Sequence, residues 1–294
     1  MKKALRFFTC GFLGLIGVMI GHLFYLYHHR EFGPSDFRHP SNLALKGQTS
    51  EEMKKETSKL LNQRFSYLGN GSQVTAFESE DHRYVIKFFN PRNAIKKSWF
   101  HKACRLRQMS TFEWINKTYF QKKKRLLKLF KCQQMAFQDL REESGIVYLH
   151  LDQTSYLSKT LEVVDKEGKL HLMNLDECPF VLQKKVEIAR PYLDLKIEKG
   201  DLEEARQGVR EIYQLFLSRA QKGYTDHRQN IGKNYGFVDG RAVQLDVGRI
   251  RKDDRVKQMP LKEMEKIVSY ISHLLPPQLL PVLEECLETT KQSF

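Results

Sequence analysis

The sequence predicts a mixed α+β domain behind an N-terminal apolar segment. Three observations carry that expectation. Short strand-like runs fill Phe65–Phe89 and Gly145–Val186. A long amphipathic helix follows at Gly200–Gln221, with Leu202, Ala205, Val209, Ile212, Tyr213, Phe216 and Leu217 on one face. Asp239-Gly240, between two apolar-rich runs, is the signal of a two-residue hairpin turn. At 294 residues the chain holds one domain with a real core plus an appendage.

The appendage comes first. Lys2, Lys3 and Arg6 precede the apolar run Phe7–Tyr27, interrupted only by Thr9 and His22. About 20 apolar residues span a bilayer as a helix. A cleaved secretory signal would have a shorter core and a small-x-small cleavage site. None follows here, so residues 1–27 read as a single-pass membrane anchor. Gly11, Gly14, Gly17 and Gly21 fall on one side of it, either as a close-packing face or as ordinary bilayer glycines. Residues 28–60 form a linker with Gly33-Pro34 and His39-Pro40, then a helix at Ser50–Leu61. The leading positive charges place the domain outside. Arg30, Arg38, Lys46 and the basic domain argue the other way, so the side stays open.

The net charge of +14 is concentrated. From Arg92 to Lys131 there are thirteen lysines and arginines against one acid, Glu113, with Trp99, Phe100, Phe112, Trp114, Tyr119, Phe120 and Phe130 interleaved. Such a stretch suits the headgroup layer of an anionic membrane. It also suits a nucleic acid backbone, or a solvated helical face whose aromatics pack on their own domain. The apolar run tilts the balance to the membrane and leaves nucleic acid last. Cys10, Cys104, Cys132, Cys178 and Cys286 are too scattered for a disulfide framework or a zinc site. No histidines show metal-ligand spacing: His28-His29 adjoin the apolar run, and His150 and His171 lie in strand-like runs.

Two stretches carry chemistry. Tyr67-Leu-Gly69-Asn-Gly71-Ser-Gln-Val-Thr-Ala-Phe77 is a glycine-bearing turn between extended segments, and Tyr84-Val-Ile-Lys87-Phe-Phe is a strand with one lysine. Each alone is weak, since glycines serve ordinary turns and strand lysines ordinary edges. Further on, Lys222-Gly-Tyr-Thr-Asp226-His-Arg-Gln-Asn230 precedes a hairpin ending in Asp246-Val-Gly248. The turn returns Asp246 beside the loop of Asp226 and Asn230. Two acids and an amide suit a divalent cation carrying phosphate, with one carboxylate left to orient a nucleophile. The alternative is a polar hairpin whose acids cap turns.

Taken in order, glycine turn, strand lysine, helical region, long helix, acid-and-amide loop, hairpin and Asp-x-Gly, the chain resembles the protein kinase-like superfamily from about Phe65 to Ile250. It is nearest in style to small-molecule and lipopolysaccharide kinases. The resemblance implies a two-lobed fold, with residues 61–187 as a first lobe bearing the basic insertion 92–131 and residues 188–294 as a minimal second lobe. It places the inter-lobe hinge at Gln183–Glu187. It implies ATP and magnesium: Gly69 and Gly71 near the nucleotide phosphates, Lys87 on the inner ones, Asn230 and Asp246 on the metal, and Asp226 orienting the attacking hydroxyl.

The pattern departs from the family in places. Val74 stands at the third glycine, Tyr-Thr-Asp replaces His-Arg-Asp, and Asp226 to Asn230 is one residue short. No carboxylate partner for Lys87 is assigned: the helical middle offers Gln133, Gln134 and Gln138, with Glu113 early and Glu142 and Glu143 late. Only 46 residues follow Gly248 and no Ala-Pro-Glu occurs, so there is no platform for a peptide substrate. The expected function is a membrane-anchored phosphotransferase acting on a small-molecule, sugar or lipid-linked hydroxyl. The alternatives are a pseudokinase scaffold at the membrane and a non-catalytic basic membrane-surface protein.

Overall fold

The computed structural model describes residues 33–38, 50–71, 73–90, 111–226 and 230–293, besides the isolated positions Val18 and Gly21; side chains of the long basic helix are described from residue 124. The chain divides into two units, Met1–Pro34 and Ser35–Phe294, and the sheet and helices belong to the second. The expected anchor Phe7–Tyr27, apart from those two isolated positions, and the first part of the basic stretch, 92–110, lie outside the described residues. Among the described residues no helix is long and apolar enough to cross a membrane.

The first part of this unit is a seven-stranded sheet. Helix α1 (Glu51–Leu60), capped by the Ser50 side chain on Met53 N, leads into β1 (Phe65–Asn70), β2 (Val74–Ser79) and β3 (Tyr84–Phe89). A long helix α2 (Thr111–Asp139) and one turn, α3 (Arg141–Ser144), precede β4 (Ile146–His150), β5 (Thr160–Val164), β6 (Leu170–Asn174) and β7 (Phe180–Lys184). The strand order is β4-β7-β3-β2-β1-β5-β6, antiparallel except where β1 meets β5. The period of two decides what each face holds. Phe88 points into an aromatic cluster with Phe77, Phe180 and Phe37 at centroid distances of 5.6–6.0 Å. Its neighbour Phe89 points the other way, onto Phe130 of α2 at 5.1 Å. Lys87 therefore shares the face covered by α2.

That contact resolves part of the basic stretch. Phe130, one of the interleaved aromatics, is core, and Leu126 and Leu129 are buried with it. Lys124, Arg125, Lys128 and Lys131 are exposed. Over its described side chains α2 is an ordinary amphipathic helix with a basic outer face.

The second part is mainly helical. Strand β8 (Glu187–Ile188) leads into α4 (Ala189–Glu198) and α5 (Leu202–Gln221); β9 (Tyr224–Thr225) is followed, after the loop, by α6 (Ile231–Asn234), β10 (Tyr235–Val238) and β11 (Arg241–Gln244). Then come β12 (Arg251–Lys252), α7 (Asp254–Gln258), α8 (Pro260–Ile271) and α9 (Leu280–Ser293). Ala205, Val209, Ile212, Tyr213 and Phe216 of α5 meet Met264, Ile267 and Ile271 of α8 and Val282 and Leu283 of α9 in one core. The expected turn is present: Asp239 and Gly240 both have positive φ, 50° and 78°, and Val238 pairs with Arg241.

The sequence reading missed α4, whose Pro191 and sparse apolar positions hide a helix start, and it missed the two-residue strands, which have no period. The expected break after residue 187 falls inside β8, which pairs Glu187 with Phe237 of β10. A mixed α+β body with this curled sheet and helical second part is consistent with a kinase-like fold.

Candidate phosphate and metal site

The glycine turn lies between β1 and β2. Gly71 N donates to Val74 O at 2.8 Å, and β1 slips register between Tyr67 and Gly69. A Cβ at Gly69 would meet nothing within 4 Å, and one at Gly71 would meet only Val74 at ordinary contact. Packing against protein does not demand glycine at either position, which leaves room for a ligand to approach backbone.

Lys87 sits two strands away, on the face that looks across to the second part. Its ammonium donates to Gln183 Oε1 at 2.5 Å and to Leu245 O at 3.0 Å. Gln183 is its diagonal neighbour on β7, since Lys87 stands opposite Val181. Burial pushes the amine down to about 8, opposed by the negative charge of Asp246. The direct partner is thus a neutral amide, and not one of Gln133, Gln134 or Gln138. Glu143, one of the late acids, goes elsewhere: its Oε1 accepts from Ser218 and Lys222 of α5, each at 2.5 Å. Gln183, expected in the hinge, instead turns its side chain inward, where Nε2 donates to Ser144 O at 2.5 Å and Gln244 O at 3.4 Å.

The acids arrive on the opposite side. Asp226 follows β9, is 5% exposed, and accepts from Gln244 Nε2 at 2.9 Å. Asp246, two residues past β11, is exposed and accepts from Gly248 N at 3.0 Å, a tight turn that aims the carboxylate outward. Asn230 is exposed at the head of α6, and its side chain makes no capping bond. Leu245 N donates to Asn234 O at 2.7 Å, tying the end of that turn to the residue before Asp246.

Gln244 Nε2 links the two acid segments, donating to Asp226 Oδ2 at 2.9 Å and to Asp246 O at 3.0 Å, and two buried groups feel both carboxylates. Burial pushes the Tyr235 phenol up to about 12; Arg219 opposes the rise, and Asp226 and Asp246 both add to it. The Cys132 thiol of α2 is also raised, first by burial and then by the same two carboxylates. Lys87 feels Asp246 as well. Helix α2 closes this side: Cys132 Sγ lies 3.5 Å from Ile250 O, Tyr224 donates to Asp139, and a Cβ on Gly248 would come within 3.0 Å of Leu129.

A site holding magnesium and a nucleotide needs hard oxygens open to solvent and a cation for the phosphates. Exposed Asp246 and exposed Asn230 fit the first requirement, and Lys87, with two of its three protons engaged, fits the second. Among the described residues no three His, Cys, Asp or Glu side chains gather as a metal site. Beside Asp226 opens a cavity of about 450 Å³, lined among others by Thr225, Arg255, Lys262, Glu263 and Tyr270.

Sequence reasoning missed Gln183, Gln244 and Arg219. The signals were faint but present: a lone amide in each of two apolar strands, and a cation at 219, where the apolar helical spacing of Ile212 and Phe216 calls for another buried side chain.

No family model matches the sequence, and no curated protein matches it. Two solved structures of the bifunctional kinase-methyltransferase WbdD, one a co-crystal with a kinase inhibitor, align at 12% identity with TM-scores of 0.37 and 0.34. They cover 76% and 74% of this chain and 45% and 43% of theirs. Rv3197 of Mycobacterium tuberculosis, in complex with erythromycin, aligns at 13% identity and a TM-score of 0.33, over 93% of this chain and 74% of its own. The chain thus spans less than half the length of WbdD, and likeness at these scores carries no argument.

Proposed function

We propose that the chain is a membrane-anchored, kinase-like phosphotransferase that uses magnesium-ATP and passes a phosphoryl group to the hydroxyl of a small-molecule, sugar or lipid-linked acceptor. What supports this reading is a chain of hydrogen bonds: Lys87 Nζ donates to Leu245 O, next to Asp246, and Gln244 Nε2 donates to both Asp226 Oδ2 and Asp246 O. Gly69 and Gly71 leave backbone open to the phosphates, and Lys87 balances their charge. Asp246 and Asn230 would hold the metal, which supplies further charge neutralisation when bound. Asp226 would orient the acceptor hydroxyl and take its proton as the new oxygen–phosphorus bond forms and the bond from the γ-phosphorus to the β,γ-bridging oxygen breaks, releasing ADP. Positioning and fixed charge do most of the work in such transfers.

The acceptor reading rests on the cavity beside Asp226, about 450 Å³ and mixed in charge, which suits a hydroxyl-rich group better than an apolar one. Membrane attachment rests on the apolar run Phe7–Tyr27 and the basic face of α2. A silent nucleotide-binding scaffold is the second reading, favoured by the short Asp226–Asn230 spacing and by the bond Asp226 already accepts from Gln244. Transfer of labelled γ-phosphate from ATP to membrane-extract acceptors separates the two. The expected result is transfer by the wild type and a loss of about 10²–10⁴-fold in Asp226→Asn with ATP affinity kept. ATP binding without hydrolysis or transfer would give the case to the scaffold.

A further inference from the structure

Arg219 is fully buried on α5, in a position where a helix ordinarily packs a hydrocarbon side chain. Its Nη1 donates to Gln244 Oε1 at 2.8 Å and to Tyr235 OH at 3.2 Å, and its guanidinium lies over the Phe216 ring at 5.1 Å. Among the described residues its Nε and Nη2 have no hydrogen-bond partner. Burying a cation this incompletely satisfied is costly, so the group does something that a leucine there would not.

The consequence falls on Gln244. Arginine only donates, so the amide oxygen of Gln244 must face Arg219 and its nitrogen must face away. That nitrogen donates to Asp226 Oδ2 at 2.9 Å and to Asp246 O at 3.0 Å. One amide therefore grips both the loop acid and the backbone of the Asp-Val-Gly segment. Tyr235, opposite Gln244 in the hairpin, accepts from the same Nη1.

We propose that Gln244, locked in one orientation by Arg219, is the positioning residue that sets Asp226 against Asp246. This rests on the phosphotransferase reading for its kinetic consequence, and on the bonds alone for its structural one. A flipped amide would turn its oxygen onto the Asp226 carboxylate and the Asp246 carbonyl. The arginine adds to the bias against that orientation, and the acid is held in one place beside the Asp-Val-Gly segment.

The test compares full-length wild type with Gln244→Glu, which has the same shape and still accepts from Arg219 but has no donor for Asp226, and with Gln244→Leu. Both variants are expected to lose about 10²-fold in kcat, the scale of a reacting group misplaced by an ångström, with KM for ATP within about twofold of wild type. A Gln244→Glu enzyme at wild-type kcat, or a kcat and KM that move together, would overturn the proposal in favour of simple packing. Nitrogen-15 spectra give a readout independent of turnover. The Gln244 side-chain amide, assigned in the wild type by through-bond correlation to its own backbone, should be protected from solvent exchange, and in Arg219→Lys it should exchange at least about tenfold faster because lysine lacks the planar fork. Equal exchange in both proteins would sink the proposal even if the glutamine variants fail to fold. A wild type with no turnover but with this exchange pattern would retire the phosphotransferase reading and leave the lock standing.

Discussion

The two halves of the site treat charge in mirror-image ways. On the sheet, Lys87 is a cation whose direct partners are a neutral amide oxygen, Gln183 Oε1, and a backbone carbonyl. Across from it, Asp226 is an anion that accepts a bond from a neutral amide nitrogen, Gln244 Nε2. The two glutamines touch each other, since Gln183 donates to Gln244 O at 3.4 Å. Among the described residues Lys87 makes no direct ion pair. A lysine held by a carboxylate keeps its proton and has part of its field spent. A lysine held by an amide stays poised, with its amine pushed down to about 8, and its field is left for a ligand. The second half differs in one respect: behind its amide stands a buried arginine, while behind Gln183 stands only Ser144 O. The acid side is therefore the more rigidly built, and the lysine side the more easily tuned.

The largest expected effect comes from breaking the link between the halves. Asp246 is the charge that opposes the burial of Lys87, and in the proposed reading it is the principal oxygen donor for a metal. Asp246→Ala should weaken magnesium-ATP binding by at least about 100-fold, close to 3 kcal/mol, in calorimetry. It should also push the Lys87 amine further below its wild-type value. Binding of equal strength in the variant would remove Asp246 from the metal site and leave the hairpin a polar turn.

A smaller effect should follow from making the two halves alike. Gln183→Glu gives Lys87 the carboxylate that its surroundings lack. In the wild type the fold releases the lysine proton at about 8, while the unfolded chain keeps it to about 10.5. Between those values the unfolded state binds more protons, so this residue makes stability rise with pH there. Nucleotide affinity should move the opposite way, falling as pH climbs through about 8 and the ammonium is lost. In Gln183→Glu the fall should shift to higher pH, and affinity at pH 7 should drop by roughly tenfold or less because the new anion competes with phosphate. Calorimetric titrations from about pH 6.5 to 9.5, bracketing the shifted amine, would show it; superimposable profiles would mean that Lys87 does not meet the phosphates.

Much of this frame was legible in the sequence, for physical reasons that differ by element. The strands through Tyr84–Phe89 and Phe180–Lys184 were visible because short runs of apolar, β-branched and aromatic residues read as buried strands, and the hairpin because only certain residues accept two positive φ angles. The amphipathic stripe gave away α5. What escaped was what has no period. The strands Glu187–Ile188 and Tyr224–Thr225 are bridges made by tertiary pairing. The partner of Lys87 was sought on a helix and lies on the adjacent strand, because sheet register, which sequence alone does not state, decides which diagonal neighbours meet. Arg219 and Gln244 belong to no motif, although a charge on a buried stripe is the kind of local conflict that marks a functional neighbourhood.

The smallest expected effect tests whether the acid half owes its rigidity to the hairpin turn itself. Gly240 has a φ of 78°, and a Cβ there would meet nothing within 4 Å. The cost of Gly240→Ala is therefore backbone strain with no steric clash, about 1 kcal/mol. That should lower the melting temperature by a few degrees at most and leave the binding of nucleotide nearly unchanged, because Gln244 is held by Arg219 and the next residue, Leu245, donates its N–H to Asn234 O. A loss of affinity larger than the loss of stability would reverse this ranking: the turn, and not the buried arginine, would then be what keeps Asp246 in line with Lys87.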